Sequence, residues 1–234
     1  MPRRSFTHHF SAPQAELFTR IPEGLRYIVV EGVIGAGKTT LARTLAERFG
    51  GRLVLERFEE NPFLERFYDD KGRWGFQTQL SFLADRFRQQ KELMTGDLFH
   101  PFTVSDYAFD KDRIFAHLNL TGDECTLYDT LFGLMQPNTP RPDLLIYLAS
   151  TPERLMRNIA QRGRAMESAM DPEYITRLHE AYELYFRSFT KCPLLIIQAA
   201  EIDFVREPLH LHAILNRIMQ VPHEGRTVFE PTLE

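Results

Sequence analysis

Cysteine is scarce in this chain: only Cys125 and Cys192 occur among 234 residues, far apart and without metal-ligand spacing. That excludes a disulfide framework and a zinc ribbon, and reads as two thiols in a reducing compartment. Long hydrophobic runs are also missing. No stretch approaches the roughly eighteen apolar residues of a membrane span, and Arg3 and Arg4 are not followed by the apolar stretch of a signal peptide. Positive charge is not in excess either: 28 basic against 32 acidic residues leave a net charge of −4, so no global field draws the chain onto a nucleic-acid polymer. Internal repeats and low-complexity linkers are absent. These absences point to a soluble, cytoplasmic protein with a small-molecule partner and no membrane.

What is present is an ordinary apolar content, 43%, in a chain long enough for one well-buried α/β domain. Residues 1–26 mix Pro, Ser, Thr and His and read as a loosely ordered extension, its His8-His9 pair a solvated element and not a metal site. The domain is expected over 27–220, with a patternless C-terminal tail over 221–234. Short apolar runs at Tyr27–Val30, Arg52–Glu56, Phe102–Asp106, Asp143–Leu148 and Leu194–Gln198 predict five strands. Helical stretches separate them: 38–49, a short one opened by Asn61-Pro62, a long one over 74–95, two near 108–119 and 122–135, one capped by Thr151-Pro152-Glu153, one from Asp171-Pro172 and one over 205–220. Strands alternating with helices of this length imply a five-stranded parallel sheet flanked by helices, a three-layer α/β fold.

The strongest chemical signal lies between the first strand and the first helix. Gly32-Val33-Ile34-Gly35-Ala36-Gly37-Lys38-Thr39, with Thr40 behind it, fits G-x-x-x-x-G-K-[ST] at every fixed position. Glycines there let backbone amides face a phosphate chain, the helix N-terminus adds its dipole, Lys38 supplies a point charge, and Thr39 offers an oxygen to Mg²⁺. Asp106, closing the third strand, is placed for the second carboxylate of such a metal site. Arg162-Gly163-Arg164, followed by Glu167, reads as an arginine-bearing lid that neutralises charge during phosphoryl transfer. The function expected from these residues is a P-loop kinase that takes a nucleoside triphosphate, ATP or another, with Mg²⁺.

Beyond the P-loop, ordered motifs from about Tyr27 to Phe204 resemble the deoxynucleoside kinase family, especially bacterial purine-preferring members. The resemblance implies several roles. Glu56, where the family has a Glu-Pro pair and this chain has Arg57 next, becomes the general base on the 5′-hydroxyl. Tyr68 and Glu167 become contacts to the deoxyribose. Gln79 and Arg86 become contacts to the base, with Phe82 on the same helix face and Gln77 turned about 200° away. Asp203 and Phe204 fall in a loop against the donor's adenine. Catalysis is thus expected from Glu56, Lys38, Arg162 and Arg164, and a homodimer is implied. One motif departs: where the family has an acid followed by Arg-Ser, this chain reads Ser105-Asp106-Tyr107, with no arginine. The family's base-orienting aspartate falls on Asp112 or, without a one-residue gap, its place is taken by Lys111. The reading is transfer of the γ-phosphoryl group to the 5′-hydroxyl of a deoxynucleoside. Arg86 suits the acceptor edge of guanine, so purines are expected first and thymidine last. A nucleoside monophosphate kinase and a non-catalytic nucleotide-binding member of the fold are the alternatives; no Asn-Lys-x-Asp motif supports a GTPase.

Overall fold

The computed structural model describes residues 20–94, 99–164, 167, 170–220 and 225–231. Its centre is β1 (Tyr27–Glu31) beside β4 (Leu144–Ala149), both buried along their whole length. Strands this apolar on both faces belong inside a parallel sheet covered by helices, and each fully buried Ile, Leu or Val contributes about 1.5–3 kcal/mol of transfer free energy. β3 (Thr103–Ser105) lies on the other side of β1, β2 (Arg52–Val54) outside it, and β5 (Leu194–Gln198) outside β4. All pairs are parallel, with Ile28 opposite both Val104 and Leu144.

The sheet has six strands, not the expected five. Arg226–Phe229 forms β6, parallel to β5 with Ile196 opposite Val228, so the order is β2-β3-β1-β4-β5-β6. This segment fell in the expected patternless tail because a four-residue edge strand with alternate residues exposed buries too little apolar surface to leave a signal.

The helices are α1 (Lys38–Phe49), α2 (Leu64–Asp69), α3 (Lys71–Leu93), α4 (Lys111–Asn119), α5 (Gly122–Met135), α6 (Pro152–Arg162), α7 (Pro172–Arg187) and α8 (Pro208–Gln220). The caps at Thr151 and Asp171 form as their sequences predict, accepting from Arg154 N and Glu173 N. Asn61 does not cap α2. Its side-chain oxygen accepts from Phe63 N while its amide donates to the Thr78 carbonyl, tying a 3₁₀ turn (Phe58–Glu60) and α2 to α3. α3 begins at Lys71, a turn earlier than expected, with Asp70 accepting from Arg73 N; Thr95 lies outside the described residues, as do His8 and His9. Leu25, assigned to the loose extension, is buried, and Asp143 accepts from the amides of Arg26 and Tyr27 at 2.8 Å each.

β2 and β3 are shorter than expected, so Glu56 and Asp106 lie just past strand ends. β1, with β3 on one side and β4 on the other, marks the reversal of strand order, where open α/β sheets bind ligands beyond the strands' carboxyl ends.

Candidate active site

The loop after β1 turns sharply because glycine permits it. Gly35 (φ 88°) and Gly37 (φ 94°) sit in the left-handed region, and a Cβ on Gly37 would meet the Phe204 ring at 2.6 Å. Gly35, Ala36, Gly37, Lys38, Thr39 and Thr40 line one wall of a cavity of about 390 Å³, with Arg162, Arg164, Asp203 and Phe204 across it. Three P-loop residues stand elsewhere. Gly32 packs against Ala36 and Leu148, the Val33 carbonyl accepts from Lys38 Nζ at 3.1 Å, and Ile34 lines a second cavity. Asn158 of α6 braces the loop by donating to the Gly35 carbonyl (2.9 Å), a contact between residues 123 positions apart that no motif marks. Asp203 caps its own turn, accepting from Val205 N and Arg206 N, and Arg154 reaches the Ile202 carbonyl beside it.

Thr39 Oγ1 donates to Asp106 Oδ2 at 2.5 Å, and Asp106 Oδ1 accepts from the Glu56 amide at 2.8 Å. A hydroxyl and a carboxylate converging beside the phosphate cradle form a hard-oxygen donor pair that fits Mg²⁺.

The second cavity, about 110 Å³, has Glu56, Tyr68, Gln79, Phe82, Arg86, Asp106 and Glu167 on its wall. One face of α3 presents Gln79, Phe82 and Arg86, while Gln77 is exposed, as the helical phase requires. The Arg86 guanidinium lies 4.5 Å from the centre of the Phe82 ring and is bonded to both Glu56 Oε1 and Asp112 Oδ1. Arg86 (4% exposed) and Asp112 (0%) thus form a buried pair inside the site. Lys111, next to Asp112, reaches Glu56 Oε2 at 2.5 Å. The choice between Lys111 and Asp112 is resolved by the first turn of α4, which delivers both: the aspartate to Arg86 and the lysine to Glu56. Tyr107 turns away from the cavity, fully buried, and its hydroxyl donates to Gln89 Oε1 at 2.9 Å.

Burial alone would raise the Glu56 carboxyl, but Arg86 and Lys111 outweigh it and hold the group well below the usual carboxylate range. Desolvation, with Lys111 nearby, brings the Lys38 ammonium down to about 8. A further carboxylate went unnoticed in the sequence because it ends an apolar strand. Glu31 is buried, accepts from Ala108 N (2.6 Å) and Gly32 N (3.1 Å), and so ties the P-loop to the turn before α4. Burial raises its carboxyl, against the opposing pull of Lys111 and Lys38.

Arg162 and Arg164, at the end of α6, line both cavities. Gly163 ends that helix at φ 64°. Arg162 grips Glu167 at 2.6 and 2.7 Å, and Arg164 lies 4.5 Å from the centre of the Phe58 ring. Among the described residues, a cluster with metal-ligand chemistry, His117, Cys125 and Asp129, lies apart on α4 and α5, where Asp129 already accepts from Arg113.

Because Lys38, Thr39, Arg162 and Arg164 line both cavities, a phosphoryl donor and its acceptor would meet across the same charges. A fold of this kind with two compartments sharing one P-loop lysine defines a P-loop kinase of a small molecule.

Comparison with known proteins carries the class to a family. The deoxynucleoside kinase family model matches residues 28–222. A deoxyadenosine/deoxycytidine kinase of Bacillus subtilis (strain 168) is 35% identical over 208 residues, covering 85% of this chain and 94% of its own. A deoxyguanosine kinase of the same organism is 33% identical over 187 residues, covering 76% and 89%. Among solved structures, a deoxyadenosine kinase from M. mycoides superposes with a TM-score of 0.73 over 83% of this chain and all of its own, at 23% identity, which supports the fold. The chain belongs to the deoxynucleoside kinase family. It is a phosphotransferase that uses a nucleotide donor and a deoxynucleoside acceptor. No described helix is long and apolar enough to cross a membrane.

Proposed function

We propose that this enzyme transfers the γ-phosphoryl group of ATP to the 5′-hydroxyl of a purine deoxynucleoside, with Glu56 as general base. The observation that carries the reading is the convergence of Glu56, Arg86 and Lys38 on one cavity, with Lys38 also on the wall of the other. The acceptor's sugar would rest against Tyr68 and Glu167, and its base against Gln79, Phe82 and Arg86. Glu56 takes the hydroxyl proton as the oxygen attacks, a role that requires approach to about 3 Å. Lys38, Arg162 and Arg164 offset the charge spreading over the transferring group. Mg²⁺, held by Thr39 and Asp106, would neutralise charge on the donor phosphates.

The base preference follows from a buried acceptor atom on the cavity wall. Gln79 Oε1 has no hydrogen-bond partner among the described residues; Asp112, expected to meet the base, is fully buried and not on that wall. Leaving an atom such as Gln79 Oε1 unpaired costs about 1–3 kcal/mol, so a base that brings an exocyclic amine is favoured. Adenine offers one at its 6-position and cytosine at its 4-position; guanine places a carbonyl oxygen there. The guanidinium of Arg86, expected to read guanine directly, is instead committed to Glu56 and Asp112. Deoxyadenosine therefore ranks ahead of deoxyguanosine, deoxycytidine remains a substrate and thymidine is poorest. The names of the two Bacillus subtilis relatives span deoxyadenosine, deoxycytidine and deoxyguanosine and do not include thymidine.

The protein is proposed to work in the cytoplasm as a homodimer. An open apolar groove between α4 and α7, with Ile114, Leu118 and Leu184 on it and Leu184 67% exposed, supplies a face for a second copy. A screen of the four deoxynucleosides and their 5′-monophosphates, with ATP and Mg²⁺, tests the reading. Phosphorylation of deoxynucleosides alone is expected. Consumption of monophosphates in their place would make the protein a nucleoside monophosphate kinase, and ATP binding without turnover on any acceptor would make it a non-catalytic member of the fold.

A further inference from the structure

We propose that Lys111 is a catalytic residue, a cation that rests on the general base before the acceptor binds and moves to the 5′-oxygen and the transferring phosphoryl group when it does. The inference rests on the reading of Glu56 as the base.

The segment after β3 places no arginine beside Asp106. Tyr107, next in the chain, is packed into the interior against Gln89. Lys111 arrives from the first turn of α4, with its backbone amide donating to the Ala108 carbonyl. It is 5% exposed and lines the acceptor cavity together with Lys38, Asp106 and the two lid arginines.

Two cations hold Glu56, and they differ in what else holds them. Arg86 is shared with Asp112 and stacked near Phe82, so its fork is fixed from three sides. Lys111 makes one ion pair among the described residues, with Glu56 Oε2, and its ammonium is 5.6 Å from the centre of the Phe115 ring. A flexible four-carbon stem with one ion-paired partner, Glu31 acting on it through its charge without an ion pair, is the mobile member of the two. Glu56 Oε1 belongs to Arg86, so Oε2 is the oxygen left to accept a hydroxyl proton, and Lys111 occupies it.

The cavity volume agrees. At about 110 Å³ it is smaller than the roughly 300 Å³ at which small-molecule sites begin, and two cations on its wall, Arg86 and Lys111, are paired to Glu56. A deoxynucleoside that enters and bonds to Oε2 displaces Lys111 from that atom without moving it out of the pocket. A buried ammonium left unpaired is costly, and the nearest developing negative charge is on the 5′-oxygen and the phosphoryl group in flight. In the step itself, the 5′-oxygen to phosphorus bond forms and the bond from phosphorus to the β-phosphate bridging oxygen breaks. The hydroxyl proton passes to Glu56, the diphosphate leaves with the released electron pair, and Lys111 stays protonated throughout. Its location separates its role from that of Lys38, which approaches the same group from the donor cavity.

The test compares Lys111→Met and Lys111→Arg with wild type and with Glu56→Gln. For Lys111→Met we expect kcat to fall on the order of 10²-fold, with KM for the deoxynucleoside within about threefold, the signature of an interaction made in the transition state. Lys111→Arg should recover most of the loss. Titration calorimetry gives a readout apart from turnover: Lys111→Met should bind the deoxynucleoside 5′-monophosphate about tenfold more weakly while binding the deoxynucleoside as wild type does. If Lys111→Met does not fold, Lys111→Gln replaces it in both measurements. A kcat within threefold of wild type overturns the proposal, as does a loss carried by KM or melting temperature that arginine does not restore. If Glu56→Gln also keeps wild-type turnover, it is the assignment of the base that has failed; loss in Glu56→Gln alone leaves the base standing and removes Lys111.

Discussion

The donor cavity and the acceptor cavity share four side chains but are built in opposite ways. The donor side is organised around one continuous stretch of chain, residues 35–40, whose glycines and backbone amides suit a phosphate chain, with side chains of α6 and residues 202–206 closing it. The acceptor side is a convergence of single side chains from α2, α3, α4, the strand ends and the lid, held in place by ion pairs among themselves. A site made of backbone conformation tolerates change around it and fails when its few special residues change. A site made of paired charges fails by degrees, because each removal exposes a neighbour's unpaired charge.

Removing Lys38 probes the part both cavities share and should give the largest effect. Lys38→Ala is expected to lose about 10²–10³ in kcat with an unchanged melting temperature, since its ammonium meets a loop carbonyl and the phosphates and not the core. Near-wild-type turnover would break the assignment of the P-loop as the donor site.

Arg86→Met acts on the acceptor side alone and sharpens the contrast. It leaves Asp112 buried without its cation, a change that typically costs about 3–5 kcal/mol of stability, and it frees one oxygen of Glu56. The ranking of deoxynucleosides measured by kcat/KM should change while the affinity for ATP stays within a few-fold. An unaltered ranking would show that Arg86 is structural and has no part in reading the base.

The same contrast explains how much was visible in the sequence. The cradle could be read directly because its residues are contiguous and each has a fixed spacing. Asp106 was visible as a carboxylate closing an apolar run, while Glu56, Gln79 and Arg86 came from the family resemblance, with Phe82 on the same helix face. Lys111 was not assigned a role, because whether it or Asp112 took the place of the family's base-orienting aspartate turned on a one-residue gap. The structure brings both residues to bear, Lys111 on Glu56 and Asp112 on Arg86. Glu31 was hidden for another reason: a carboxylate at the end of a five-residue buried strand carries no pattern of its own, and its two backbone partners, Gly32 and Ala108, are brought together only by the fold. The sixth strand was missed because an edge strand with alternate residues exposed is held by hydrogen bonds to β5 more than by apolar burial.

The claim that Glu56 removes the proton of the 5′-hydroxyl is the centre of this account, and a single-turnover measurement on Glu56→Gln tests it most directly. With enzyme in excess over deoxyadenosine and ATP with Mg²⁺ saturating, the variant should transfer phosphate about 10²–10⁴-fold more slowly than wild type. Deoxyadenosine affinity, measured on the same preparation, should remain within a few-fold, because glutamine keeps the size of the side chain and its hydrogen bond to Arg86. Transfer at the wild-type rate with affinity lost would contradict the account: Glu56 would then be a binding residue, and the base would have to be sought at Asp106.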